Sequence, residues 1–178
     1  MMETKDLLIR ESTFEDVETF YEWEKLPEVT EFFSISENQT REDVYAKYFR
    51  DKEDEGAEQF TILLKEDGGA RPVGRIVLAD IIPGWKGEVW RIYIADTSLR
   101  NRGYGRQALR AVMDHMFNDL GMERVYLDHY TGNPADYLYK SMGFTEEGLL
   151  RKNCRKDGVL HDVHLMSMLK DEYESIYG

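Results

Sequence analysis

Three segments that read as strands, Phe60 to Leu64, Pro72 to Ile82 and Glu88 to Ala95, follow one another with only short turns between them, at Glu66-Asp67-Gly68-Gly69 and Pro83-Gly84-Trp85-Lys86-Gly87. Connections this tight join antiparallel neighbours, because a parallel pair needs a crossover of about a dozen residues or more. The centre of the chain is therefore an antiparallel meander. A doubly wound parallel sheet fits such a centre poorly.

The flanks add helices. Leu7 to Arg10 reads as a strand, after which Ser12 or Thr13 can cap a helix, with Glu15 or Asp16 completing a capping box and Pro27 stopping it. Thr40 starts a second helix with Val44, Tyr45, Tyr48 and Phe49 on its apolar face. After the meander, Leu109, Val112, Met113, Met116, Phe117 and Leu120 recur at helical spacing, and Gly121 is placed to close that helix in the left-handed conformation. Val125 to Leu127 is a short strand. Asn133-Pro134 has the form of a helix cap followed by a first-turn proline, and that helix ends at Gly143. A hairpin from Phe144 to Met168, turning at Lys156-Asp157-Gly158, completes an α/β (α+β) chain in the order β-α-α-β-β-β-α-β-α-β-β.

With 178 residues, no repeat and no linker-like stretch, residues 1–178 are expected to form one domain. No apolar run approaches the ~20 residues of a membrane span, and the start lacks a secretory leader. The single cysteine, Cys154, has no partner for an internal disulfide, so a cytoplasmic protein is expected. The net charge of −12 argues against a nucleic-acid partner and favours cationic substrates.

Against that acidic background, Arg100-Asn101-Arg102-Gly103-Tyr104-Gly105 stands out between a strand and the most amphipathic helix, with Arg106 and Arg110 following. Free N–H groups at a helix start, approached through glycines and flanked by arginines, suit a pyrophosphate. Gly103-x-Gly105-x-x-Ala108, with Asp128 downstream, also matches a dinucleotide fingerprint. That motif wants its glycine directly after the strand, whereas Gly103 stands well beyond Ala95, so a nucleotide-dependent oxidoreductase is disfavoured.

Arg100-x-x-Gly103-x-Gly105 resembles the acetyl-coenzyme A pyrophosphate loop of the GNAT superfamily of N-acetyltransferases. Asn133 to Phe144 resembles that family's asparagine, tyrosine and Gly-Phe pattern, and the resemblance extends from Leu7 to Leu169. The ending from Gly143-Phe144 through Gly148, with Asp157-Gly158 and Asp162, is similar to the RimJ/RimL-like branch. The fold implied is a mixed, mainly antiparallel sheet flanked by helices. The co-substrate implied is acetyl-CoA, bound by Arg100, Asn101, Arg102, Gly103, Tyr104 and Gly105, by the main chain of Tyr93, Ile94 and Ala95, and by Asn133.

The resemblance further implies direct attack of an amine on the thioester, with no metal. Tyr139 matches the family's proton donor, and Tyr137 or Leu138 is then left to pack the helix. Glu88 is the candidate base, in a strand where a one-residue slip would reverse its face. The acceptor implied is an amine-bearing small molecule, polyamines among them, or a protein N-terminus. Glu28, Glu31, Phe32, Phe33 and Trp85 are placed near it by topology. The compact acidic cluster of polyamine-specific members has no clear match between Phe32 and Gln39. A CoA-binding sensor without turnover is the competing reading, and the oligomeric state, from monomer to homo-oligomeric ring, is open. His161 and His164 are set aside as metal ligands because positions i and i+3 of a strand face opposite ways. Cys154 has no evident base and reads as an inert thiol.

Overall fold

The computed structural model describes residues 1–178. Its strands are β1 (Met2–Glu3), β2 (Leu7–Glu11), β3 (Glu58–Glu66), β4 (Gly69–Ile82), β5 (Lys86–Ile94), β6 (Arg124–Tyr130), β7 (Thr145–Lys156) and β8 (Val159–Leu169). They form one sheet in the order β1-β2-β3-β4-β5-β6-β8-β7. Every neighbouring pair is antiparallel except β5 and β6. The helices are α1 (Asp16–Trp23), α2 (Pro27–Thr30), α3 (Arg41–Glu53), α4 (Tyr104–Asp114), α5 (Ala135–Ser141) and α6 (Lys170–Tyr177).

Strand alternation divides the interior into two layers. Phe60, Ile62 and Leu64 of β3 join Val125 and Leu127 of β6 beneath Leu109, Val112 and Met113 of α4, in the main core. The intervening Gln59 and Thr61 turn the other way, toward α3 and α1, where they bond the Tyr48 carbonyl and the Asp16 carboxylate. Val17, Phe20, Val44 and Tyr48 pack there as a separate small cluster.

The local signals act as their chemistry requires, with three differences. Thr40 and Asp43 form a complete capping box on α3, whereas at α1 only the return half exists, the Thr13 amide donating to Asp16. Pro27 does not merely end a helix: its fixed φ suits a first helical position, and it opens α2. The chain also continues past the hairpin into α6, whose Tyr173 stacks on Phe117. Gly121 does adopt a left-handed φ of +65°, after a π-helical turn over His115–Asp119.

One irregularity shapes the centre. Val77 pairs with Arg91 and Leu78 with Val89, so Trp90 is an extra residue in β5. A bulge of this kind reverses which face later residues occupy. Gly87 and Val89 lie on the α4 side, but beyond the bulge Arg91 and Tyr93 face α1 while Ile92 and Ile94 pack toward the main core. Gly74 lets β5 approach: a Cβ there would stand 2.2 Å from the Tyr93 carbonyl oxygen. No helix is long and apolar enough to cross a membrane.

Candidate active site

The parallel pair β5 and β6 is hydrogen-bonded only from Lys86 to Glu88 against Arg124 to Tyr126. Beyond Glu88 the two strands part, opening a gap in the middle of the sheet. The Ala95 amide donates to Val73 of β4, so Tyr93 and Ala95 turn their main-chain groups toward β4. By the alternation of an antiparallel ladder, Ile92 and Ile94 turn theirs into the gap. Of the three residues anticipated on this edge, Ile94 alone offers its backbone there. Tyr93 contributes instead through its hydroxyl, which donates to Glu24 at 3.2 Å.

At the far end of the gap the chain enters α4. Asn101 (φ +61°) and Gly103 (φ +82°) are both left-handed, a turn that aims successive N–H groups outward. The first helical bond is Gln107 N–H to Gly103, and no acceptor within the protein takes the amides of Asn101 through Arg106. Six consecutive donors beside an exposed Arg102 form an anion cradle. Arg100 braces it by donating to the Glu28 carbonyl at 2.7 Å. Arg106 is tied to Ser141 and Arg110 lies against Tyr177, so these two are already engaged.

Two titratable groups flank the gap. Tyr139 is buried on α5 and its hydroxyl makes no hydrogen bond to the protein; burial, helped by Asp128, pushes its pKa up to about 12. A phenol held there is protonated at neutral pH. The sequence left the packing role to Tyr137 or Leu138, but Tyr137 is 79% exposed, whereas Tyr139 packs on Phe144. Glu88 lies opposite Tyr126, on the face away from α4. Burial first, then the Asp128 and Asp80 carboxylates, raise its pKa to about 7. Asn133 spends its side-chain oxygen on the amide of Ala135, the first residue of α5, while Pro134 takes the N-cap position.

The residues placed by topology separate. Phe33 packs on Tyr93 beside Arg91, and Glu31 lines a cleft of about 630 Å³ with Glu24, Glu37 and Asp157. Trp85 sits instead at the closed end of the β5–β6 pair, its carbonyl bonded by Arg124. Cys154 is half-buried, and burial raises its thiol.

Two features escaped the sequence. Asp80 and Asp128 lie close enough to Glu88 to raise its pKa; a lone acid interrupting an otherwise apolar strand was the available signal for Asp80. Glu24, at the end of α1, is buried between Arg75 and Arg91, each 2.9 Å from the same oxygen, with Gln39 on the other. Its partners lie too far along the chain to be paired by inspection.

A mixed sheet that opens at its one parallel pair, beside an unsatisfied helix start, is the architecture of acetyl-CoA-dependent N-acetyltransferases. Residues 6–145 match the family described as an acetyltransferase (GNAT) domain, and the chain belongs to that family. It is 27% identical over 172 residues to an uncharacterized N-acetyltransferase, YnaD, of Bacillus subtilis, covering 96% of this chain and 97% of the relative. It is 29% identical over 133 residues to the spermidine N(1)-acetyltransferase of Vibrio cholerae, covering 74% and 73%. The solved structure of a Vibrio cholerae spermidine N-acetyltransferase with CoA and spermine superposes with a TM-score of 0.84 at 21% identity, over 96% of this chain and 99% of that one.

Proposed function

We propose that residues 1–178 act as one domain of the RimJ/RimL-like branch that moves an acetyl group from acetyl-CoA to a primary amine of a small, cationic acceptor, polyamines among them. The observation that carries this reading is the row of six unbonded amides from Asn101 to Arg106 at the end of the β5–β6 gap. The donor-set chemistry fits: those amides and Arg102 would hold the diphosphate, and the open edge at Ile92 and Ile94 would take the amide-bearing arm. Acetyl-CoA, when bound, supplies an electrophilic thioester carbonyl.

The side chains supply the proton chemistry. An alkylamine of pKa ~10.4 arrives as an ammonium ion. Asp80, Glu88 and Asp128 favour that cation, and Glu88, with a pKa of about 7, can accept its proton near neutrality. The Tyr139 hydroxyl, kept protonated, gives its proton to the departing sulfur. The relatives acting on spermidine support a polyamine acceptor; the acid cluster around Glu88 supports a cationic one independently of them.

Thermal shift with acetyl-CoA and with NAD, followed by thiol release over spermidine, spermine, simple alkylamines and a peptide with a free N-terminus, tests the reading. Acetyl-CoA should stabilise the protein and polyamines should release thiol. Stabilisation by NAD alone overturns the class. Binding without release from any amine makes the protein a CoA-binding module, and release from the peptide alone replaces the acceptor.

A further inference from the structure

Buried polar atoms almost always find a hydrogen-bond partner, so exceptions call for an explanation. The chain has four, and two of them face each other: Nε2 of His129 and Oδ1 of Asp136, 3.2 Å apart yet too poorly aligned to bond. His129 is buried on β6, where Nδ1 lies 3.1 Å from the Tyr130 carbonyl. Asp136 stands on α5, one turn before Tyr139, and the His129 ring packs on the Tyr139 ring with centroids 5.7 Å apart. Behind His129, the His164 ring stacks at 5.1 Å and is itself fixed by Glu146 and Thr131. Lys140 holds the second oxygen of Asp136 at 2.8 Å.

Helix α5 has only seven residues and cannot fix its own position by length. Its register on β6 is set by what bridges the two. We propose that His129 is a positioning residue for the acetyl-transfer reaction: through Asp136 it locks α5 against β6 and so aims the Tyr139 hydroxyl into the gap. With the imidazole proton on Nε2 rather than on Nδ1, a small rotation of α5 turns the present 3.2 Å approach into an aligned N–H···O bond, as catalytic hydrogen bonds do when they tighten around a substrate. The inference rests on Tyr139 being the proton donor of the proposed reaction.

Four variants test it, each assayed for kcat, KM for acetyl-CoA and thermal midpoint. His129→Phe keeps the ring stack but carries neither nitrogen, and its kcat should fall about ten-fold or more, with KM for acetyl-CoA within two-fold of wild type. His129→Gln, whose amide reaches toward Asp136, should restore most of kcat. His129→Asn, which can serve only the Tyr130 carbonyl, should not. His129→Phe combined with Tyr139→Phe should be no slower than Tyr139→Phe alone, because the two act through one group.

Equal rates for the Gln and Asn variants, an additive double variant, or a His129→Phe rate within two-fold of wild type would each overturn the proposal. If His129→Phe does not fold, Asp136→Ala at the half-buried end of the bridge takes its place, with the same kcat loss expected. The reading beneath it fails separately, if Tyr139→Phe alone leaves kcat unchanged.

Discussion

Glu24 and Glu88 are the same acid in opposite circumstances. Both leave water, and burial alone pushes both carboxyls up. At Glu24 the Arg91 and Arg75 guanidiniums outweigh burial, and the pKa ends below the ordinary value. At Glu88 no cation offsets burial, and Asp128 and Asp80 add to it, so the pKa climbs to about 7. The sign is decided by the partner's charge, not by the depth of burial. One acid is thereby a structural anion that ties α1 to β4 and β5, and the other is, in the proposed reaction, the proton acceptor.

The comparison predicts opposite consequences for one chemical change. Glu88→Gln should lower kcat by about 10²–10⁴-fold, the usual contribution of a positioned base, with acetyl-CoA affinity unchanged. The same variant should melt higher than wild type at pH 8. A raised carboxyl pKa costs nothing below the ordinary value of 4.5 and costs stability as pH rises through about 7, and glutamine removes that cost. A variant that is both inactive and less stable at pH 8 would break the assignment.

Glu24→Gln should do the reverse. It leaves two buried guanidiniums with no counter-charge, and breaking a buried ion pair costs about 3–5 kcal/mol. Denaturant unfolding should show that loss at pH 7. Because the Glu24 pKa is depressed, its stabilisation is present above 4.5 and disappears as pH falls through the lower folded value; wild type and variant should converge only in acid.

A finer test acts on a neighbour. Asp128→Asn removes one of the two carboxylates that raise Glu88, so Glu88 ionises more readily. The rising limb of kcat/KM, expected near pH 7 in the wild type, should move to lower pH by about one unit or less. A limb that stays in place would take Asp128 out of the pair, and one that moves upward would reverse the electrostatics proposed here.

Why the two acids differed in legibility is a matter of sequence distance. The cradle at Arg100 to Gly105 was readable because strand, glycine turn and helix are contiguous, and left-handed glycine has a residue-level signature. Tyr139 could be singled out by resemblance, through its spacing to Gly143, although helical periodicity over seven residues could not say that Tyr137 would stay outside. Glu88 could be located but not oriented, because its face depends on register, and the extra residue at Trp90 leaves no compositional trace. Glu24 was illegible: Arg75 and Arg91 stand 51 and 67 positions away, and only the closed sheet brings them together. For the α6 helix the sequence offers little beyond the i, i+4 spacing of Tyr173 and Tyr177.

The same rule can be checked on a cation, where the effect is smallest. His115 lies on the π-helical turn with Glu58 at 2.8 Å from Nε2 and Asp119 at 2.8 Å from Nδ1, joining the end of α4 to β3. The hydrogen bond to Glu58 raises its pKa, burial opposes, and Asp119 adds to the rise. A raised histidine contributes its full stability below the unfolded value of 6.5 and loses it as pH rises through the folded one. The imidazole is partly solvated, so the contribution should be about 1 kcal/mol at most and weaker in high salt. His115→Asn should therefore be less stable than wild type at pH 5.5 and nearly equal to it at pH 9. A difference that grew with pH would mean that burial, not the paired carboxylates, governs this site, and the rule drawn from Glu24 and Glu88 would not extend to cations.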